Sequence, residues 1–178
     1  MINIKGYEVK NLNNELLIKD FEHITMLFND KEKMFFEKWA EIFIYLGVPE
    51  EVVDNFDVDD FIIGIKDFND VSDQKNINII KEIIIDGVEY SCYDENFKIT
   101  VKDMSLIEEY AKKNENRYLG DVMAVLYKRV DADKNVNYDK SHIHYKAELF
   151  RKEITIDKLV PILNILSNKL IKEVTNFE

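Results

Sequence analysis

The stretch "RVDADKNVNYDKSHIHY", residues Arg129 to Tyr145, concentrates side chains able to do chemistry. Asp131, Asp133, Asn135, Asn137 and Asp139 fall on alternate positions, and His142 and His144 follow. Oxygen donors at this spacing begin an EF-hand calcium loop correctly. The sixth position of such a loop requires Gly for its sharp turn, and here it is Val136; the twelfth requires a bidentate Glu, and here it is His142. Calcium is therefore not expected. On a strand, residues i and i+2 share a face, so His142 and His144 would present two imidazoles together. Further ligands would have to come from Asp139 or from His23, the only other histidine. That set converges poorly, so no metal and no other cofactor is expected. The plainer expectation is a polar connection whose Asp and Asn side chains bond their own backbone. Such loops often carry contacts because they are exposed on a rigid scaffold. Tyr138, His142 and His144 are its candidate partner-binding residues.

A second group is purely acidic. Glu50, Glu51, Asp54, Asp57, Asp59, Asp60, Asp67, Asp70 and Asp73 lie within 24 residues, with Lys66 the only base among them. As acid–base catalysts they lack an apolar setting that would raise one carboxyl pKa. A solvated face with helix caps accounts for most of them. The functional alternative is a docking surface for a basic partner, with Asp57, Asp59 and Asp60 as candidate contacts. Lys128, Arg129, Lys134, Lys140, Lys146, Arg151, Lys152 and Lys158 give the C-terminal part the opposite character. A subunit so divided could pack head to tail with copies of itself, which makes a homo-oligomer one expectation.

Nucleophilic catalysis finds no support. Cys92, the sole cysteine, sits in the strand-like "YSCY", where a structural thiol is the default. No G-x-S-x-G, P-loop or G-x-G-x-x-G is present. The chain is not expected to be an enzyme. A net charge of −11 repels phosphates and anionic membranes, so direct nucleic-acid binding is not expected. With no secretory signal pattern and no membrane-length apolar run, a cytoplasmic setting is expected.

The 178 residues, 46% hydrophobic and 33% charged, fit one domain with room for a core. Its expected parts are a helical N-terminal part at about 11–70, a β-hairpin at about 77–101, and a helical C-terminal part at about 102–176. In the first part, Leu17, Phe21, Ile24 and Phe28 recur at helical spacing, and Asn13 or Asn14 can cap that helix. Asp30 is the expected cap of the next helix, whose stripe is Phe35, Trp39, Ile42, Phe43 and Leu46 and whose stop is Gly47 and Pro49. Asp57 caps a helix carrying Val58, Phe61, Ile62 and Ile65. "NINIIKEIII" and "VEYSCY" flank Asp86-Gly87, a strong type I′ hairpin signal, and "FKITV" is the expected third strand. Thr100 with Asp103 resembles a capping box, which would open the helix "KDMSLIEEYAKKN". "YLGDVMAVLYKRV" has helical spacing with a strand still open, and "AELFRKEIT" is ambiguous. Thr155 or Asp157 caps a last helix with Leu159, Ile162, Leu163, Leu166, Leu170 and Val174 inward and Pro161 near its first turn. The expected class is α+β, mostly helical, with a small antiparallel hairpin or three-stranded sheet in the middle.

Three segments together resemble proteins of tailed-bacteriophage structural gene clusters. They are "IIIDGVEYSCYDENFKITVKDMSLIEEY", "YLGDVMAVLYKR" and "LFRKEITIDKLVPILNIL". Ile85, Gly87, Tyr90, Thr100, Val101, Met123, Ala124, Leu126, Tyr127, Phe150 and Leu159 carry the likeness, which covers roughly the second half of the chain. It implies a virion structural protein or a chaperone-like tail-assembly accessory, found in the host cytoplasm or the virion. It transfers no active-site residue. The partners it implies are other virion or assembly subunits. The competing expectation is a small acidic inhibitor, an immunity or anti-defence protein that covers a basic site.

Overall fold

The computed structural model describes residues 2–10, 16–69, 79–92, 99–114, 116–129 and 140–164. Eight helices and two small antiparallel sheets occupy them, an α+β fold in which helix predominates.

Strands β1 (Ile2–Ile4) and β2 (Tyr7–Val9) form a hairpin around Lys5-Gly6. It buries Ile4 and Val9 and touches the later helix α4 (Val58–Asn69). Helix α1 (Ile18–Asn29) follows Leu17 and has no side-chain cap; Asn13 and Asn14 lie outside the described residues. Its inward face differs from the sequence expectation. Ile18, Ile24 and Leu27 are buried together with Asp20 and Glu22, while Phe28 is 38% exposed. The helix turns this way because Glu22 meets the buried Arg151 and Asp20 accepts from the Tyr45 hydroxyl.

Helix α2 (Phe35–Tyr45) begins later than Asp30 suggested. Its first turn is closed by Glu37, whose Oε2 accepts the Met34 backbone N–H at 2.7 Å, while Asp30 Oδ1 accepts the Glu32 N–H at 2.9 Å in a local turn. Trp39, Ile42 and Phe43 face inward, but Phe35 is exposed. Gly47, at φ +106°, ends the helix, and the Val48 N–H returns to the Phe43 carbonyl at 3.0 Å. Then come α3 (Glu50–Asp54) and α4, which buries Phe61, Gly64 and Phe68. Val58 and Ile62, expected inward, are 61% and 38% exposed.

The middle sheet has the order β3 (Glu82–Ile85), β4 (Val88–Cys92), β5 (Tyr127–Arg129), all antiparallel. Its hairpin turns at Asp86 (φ +51°) and Gly87 (φ +75°), the two positive values a type I′ turn needs. The third strand is not "FKITV". Phe97 and Lys98 lie outside the described residues, Thr100 caps α5 (Val101–Lys113), and Val101 is already helical. The Thr100–Asp103 box takes that stretch: the Asp103 N–H donates to Thr100 Oγ1 at 3.1 Å, and the Thr100 N–H to Asp103 Oδ2 at 3.0 Å. The edge is filled instead by β5, which pairs Tyr127 with Cys92 and Arg129 with Tyr90.

Helix α6 (Leu119–Leu126) is buried at every position and runs straight into β5, so "YLGDVMAVLYKRV" is helix and then strand. Helix α7 (Lys140–Glu153) takes in most of "AELFRKEIT". A final helix, α8, covers 156–164 and buries Ile156, Leu159, Pro161 and Ile162. Pro161 is its sixth residue, past the first turn, and so removes one interior N–H. Leu166, Leu170 and Val174 lie outside the described residues.

One continuous core joins these elements. On one side, Trp39 packs edge-on against Phe28 and Phe68 at 5.0 and 5.5 Å, and Phe43 lies 5.3 Å from Phe61. On the other, Phe150 of α7 meets Tyr90 and Tyr127 of the sheet at 5.2 and 6.2 Å. Backbone bonds stitch the two sides: the Ile18 N–H donates to Ile154, and the Ile156 N–H to Leu16.

Candidate functional site

The histidines weighed as metal ligands do not gather at one position. His142 and His144 lie on α7, not on a strand, and both are exposed. At about 100° per residue, a helix points i and i+2 some 200° apart, so the two imidazoles diverge. His23 belongs to α1 and stacks on Tyr45, ring centres 4.2 Å apart. Asp131, Asp133, Asn135, Asn137, Tyr138 and Asp139 lie outside the described residues. Among the described residues, no three His, Cys, Asp or Glu side chains converge on a metal position. Cys92 is half-buried in β4.

The basic C-terminal group is partly internal. Arg151 is 3% exposed and sits between two buried carboxylates. Its Nε donates to Glu22 Oε2 at 2.8 Å and its Nη2 to Asp121 Oδ2 at 2.5 Å; Nη1 reaches Glu148 at 2.9 Å and Nη2 also reaches the Arg117 carbonyl at 2.7 Å. Glu22 uses its other oxygen to accept the Gly120 N–H at 3.1 Å. Burial works against the guanidinium charge, but Glu22 and Asp121 outweigh it and raise its pKa. This cluster ties α1, α6 and α7 together. Two buried acids share one base, and these bonds run between helices, along α7 or to Arg117 just before α6, so the cluster acts as a structural lock. Lys146 donates to the Tyr127 carbonyl at 2.8 Å, and burial, then the charge of Lys128, lowers its pKa to about 8. Lys128 itself lies 3.6 Å from Asp103. The charge division expected to drive head-to-tail packing is thus weakened, because several of its cations serve the interior.

The acidic group faces outward where it is described; Asp70 and Asp73 lie outside the described residues. Asp57 caps α4, accepting the Asp60 N–H at 2.8 Å, and that bond holds its carboxyl below the ordinary range. Asp60 pairs with Lys5 of the first hairpin. Asp59, Asp54, Glu50 and Glu51 are exposed. Beside them lies an open groove of about 290 Å³ between α2, α3 and α4. Phe36, Ala40, Val53, Phe56, Val58 and Phe61 make its walls, with Glu37 and Asp54 at the rim. Phe61 and Phe56 carry this surface down to Phe43 and the core. Met34, Phe35 and Phe36, 75%, 58% and 50% exposed, extend it along the start of α2.

This apolar surface was missed in the sequence, although a signal was there. Three consecutive large apolar residues, Met34-Phe35-Phe36, span about 200° of a helix or its entry and cannot all face one core. The acids nearby drew attention; the aromatics between them carry the shape.

No family model matches the chain, and no curated protein or solved structure matches it at a significant level.

Proposed function

We propose that this chain works by protein–protein contact, as a structural subunit or chaperone-like tail-assembly accessory of a tailed bacteriophage. The observation that carries the contact reading is the exposed run Met34, Phe35 and Phe36 continuing into the α2–α3–α4 groove. Monomeric proteins rarely leave contiguous aromatic surface of this kind uncovered, and aromatic anchors carry most interface energy. Helix α2 packs on α1, which the buried Arg151 cluster ties to α6 and α7. The phage assignment rests on the segment likeness in the second half of the chain. Among the described residues, no helix is long and apolar enough to cross a membrane, which is compatible with a host-cytoplasm or virion location.

Mass spectrometry of purified particles and of assembly intermediates tests this. The chain should appear in fixed stoichiometry with virion or tail proteins. A chain found only free, or bound to a host or phage enzyme, would reject the assembly role. The second outcome would favour the alternative, a small acidic inhibitor covering a basic site. Asp54 and Asp59 support that alternative, since neither has a basic partner among the described residues.

A further inference from the structure

We infer that the groove between α2, α3 and α4 receives a basic amphipathic helix of a partner protein, seated by two apolar anchors one turn apart. This rests on the contact function proposed above and names the chemistry of the partner.

The volume sets the number of anchors. A cavity of about 150 Å³ holds a benzene-sized group. The groove, at about 290 Å³, takes roughly two side chains of Leu or Phe size. Its walls run along α2 through Phe36 and Ala40, one helical turn apart. An occupant with apolar residues at i and i+3 or i+4 presents two anchors at the same interval.

The rim sets the charge. Glu37 and Asp54 border the groove directly, and Glu50 and Glu51 on α3 and Asp59 on α4 are exposed beside it. Three cations of the surrounding elements are engaged, while Lys66 is exposed in the last turn of α4. Lys5 pairs with Asp60, Lys33 with Glu41 at 2.5 Å, and Lys38 donates to the Phe28 carbonyl at 2.8 Å. The face is therefore apolar in the centre and negative at the edge. It complements Lys or Arg on the flanks of an incoming helix, and it repels phosphates and anionic lipid.

A second copy of this chain is a poorer occupant. Copies carrying −11 each repel one another. Arg151 and Lys146, which the sequence offered as complementary cations, point into the protein.

The test pans a display library of helical peptides against the full-length protein. Recovered peptides are then titrated by calorimetry and mapped by amide chemical shifts. The expected winners carry Lys or Arg with two large apolar residues three or four apart, and shift Ala40, Val53 and Val58. Their affinity should fall with added salt. Val58→Glu, at a 61% exposed position, should weaken binding by about tenfold or more. Ile84→Glu, 72% exposed on β3, should leave it unchanged. Neutral or acidic winners, winners mapping to another face, or no winners at all would overturn the inference. Winners on another face would leave the contact function standing. A chain absent from particles and assembly intermediates would defeat the phage role while leaving a peptide-binding groove intact.

Discussion

Replacing Arg151 by Met tests the buried lock most directly. The guanidinium reaches Glu22 at 2.8 Å and Asp121 at 2.5 Å, and these three side chains are 2–4% exposed. Removing the base leaves two carboxylates buried side by side without a cation. Breaking a buried pair in this way costs about 3 to 5 kcal/mol, against a total stability of roughly 5 to 15 kcal/mol for a protein domain. The melting temperature should fall by about 6 to 20 °C for a chain of this length. Urea titration followed by Trp39 fluorescence reads the change, since this only tryptophan is 3% exposed. The diagnostic comparison is the triple variant Glu22→Gln, Asp121→Asn, Arg151→Met. It removes all three charges and keeps a carbonyl oxygen at position 22 for the Gly120 N–H. Most of the loss should be recovered, because what hurts the single variant is uncompensated charge and not the missing ion pair itself. A single variant that loses less than about 1 kcal/mol, or a triple variant as unstable as the single, would refute this account.

Three further outcomes are expected. Gly120→Ala should destabilise by about 1 to 3 kcal/mol in the same titration; its Cβ would lie 2.6 Å from Arg151 Cγ and 2.9 Å from the Ala147 carbonyl, so α6 and α7 must part. Lys146 has a folded pKa of about 8 against an ordinary 10.5, so between those values the unfolded chain holds the proton that the folded chain has released. Stability from this group therefore rises with pH across that window, by about 3 kcal/mol, and urea titrations of native protein and Lys146→Met should diverge in that direction between pH 7 and pH 10. Thr100→Val should cost about 0.5 to 2 kcal/mol by denaturation midpoint, because it removes the acceptor of the Asp103 N–H at the start of α5.

Local signals in the sequence were the ones that survived folding. Asp86-Gly87 set its hairpin, Thr100 with Asp103 opened its helix, and Gly47 closed another, because each depends on neighbours within five residues. Faces set by distant partners did not show. Asp20 and Glu22 look like surface acids on α1 until Tyr45, which donates to Asp20 at 2.8 Å, and Arg151, 129 residues beyond Glu22, come into view. The desolvated Tyr45 hydroxyl, hydrogen-bonded to Asp20 and facing its charge, has its pKa pushed up to about 12. The sheet's third member was misplaced for the same reason: the pairing of Tyr127 with Cys92 spans 35 positions that periodicity cannot bridge. The two exposed histidines were legible in part. Ile143, Ala147, Phe150 and Ile154 are all buried and repeat at helical intervals, which places His142 and His144 on a helix once the apolar pattern is followed instead of the polar one. Of the candidate contact residues, Asp57 and Asp59 adjoin the groove residue Val58 in sequence and Asp60 pairs with Lys5, but the aromatic walls were not legible because the acids dominate the local composition.

The stitches between Ile18 and Ile154 and between Ile156 and Leu16 govern when this fold can form. On a ribosome adding about 5 to 20 residues per second, α1 emerges on the order of ten seconds before the strand-like step that receives it. Until then Glu22 has no Arg151 and the Ile18 N–H has no Ile154 carbonyl. The early helices can gather around Trp39, but the two sides of the core close late, through contacts of long sequence separation. A nascent chain of this kind stays open to capture by other proteins for most of its synthesis.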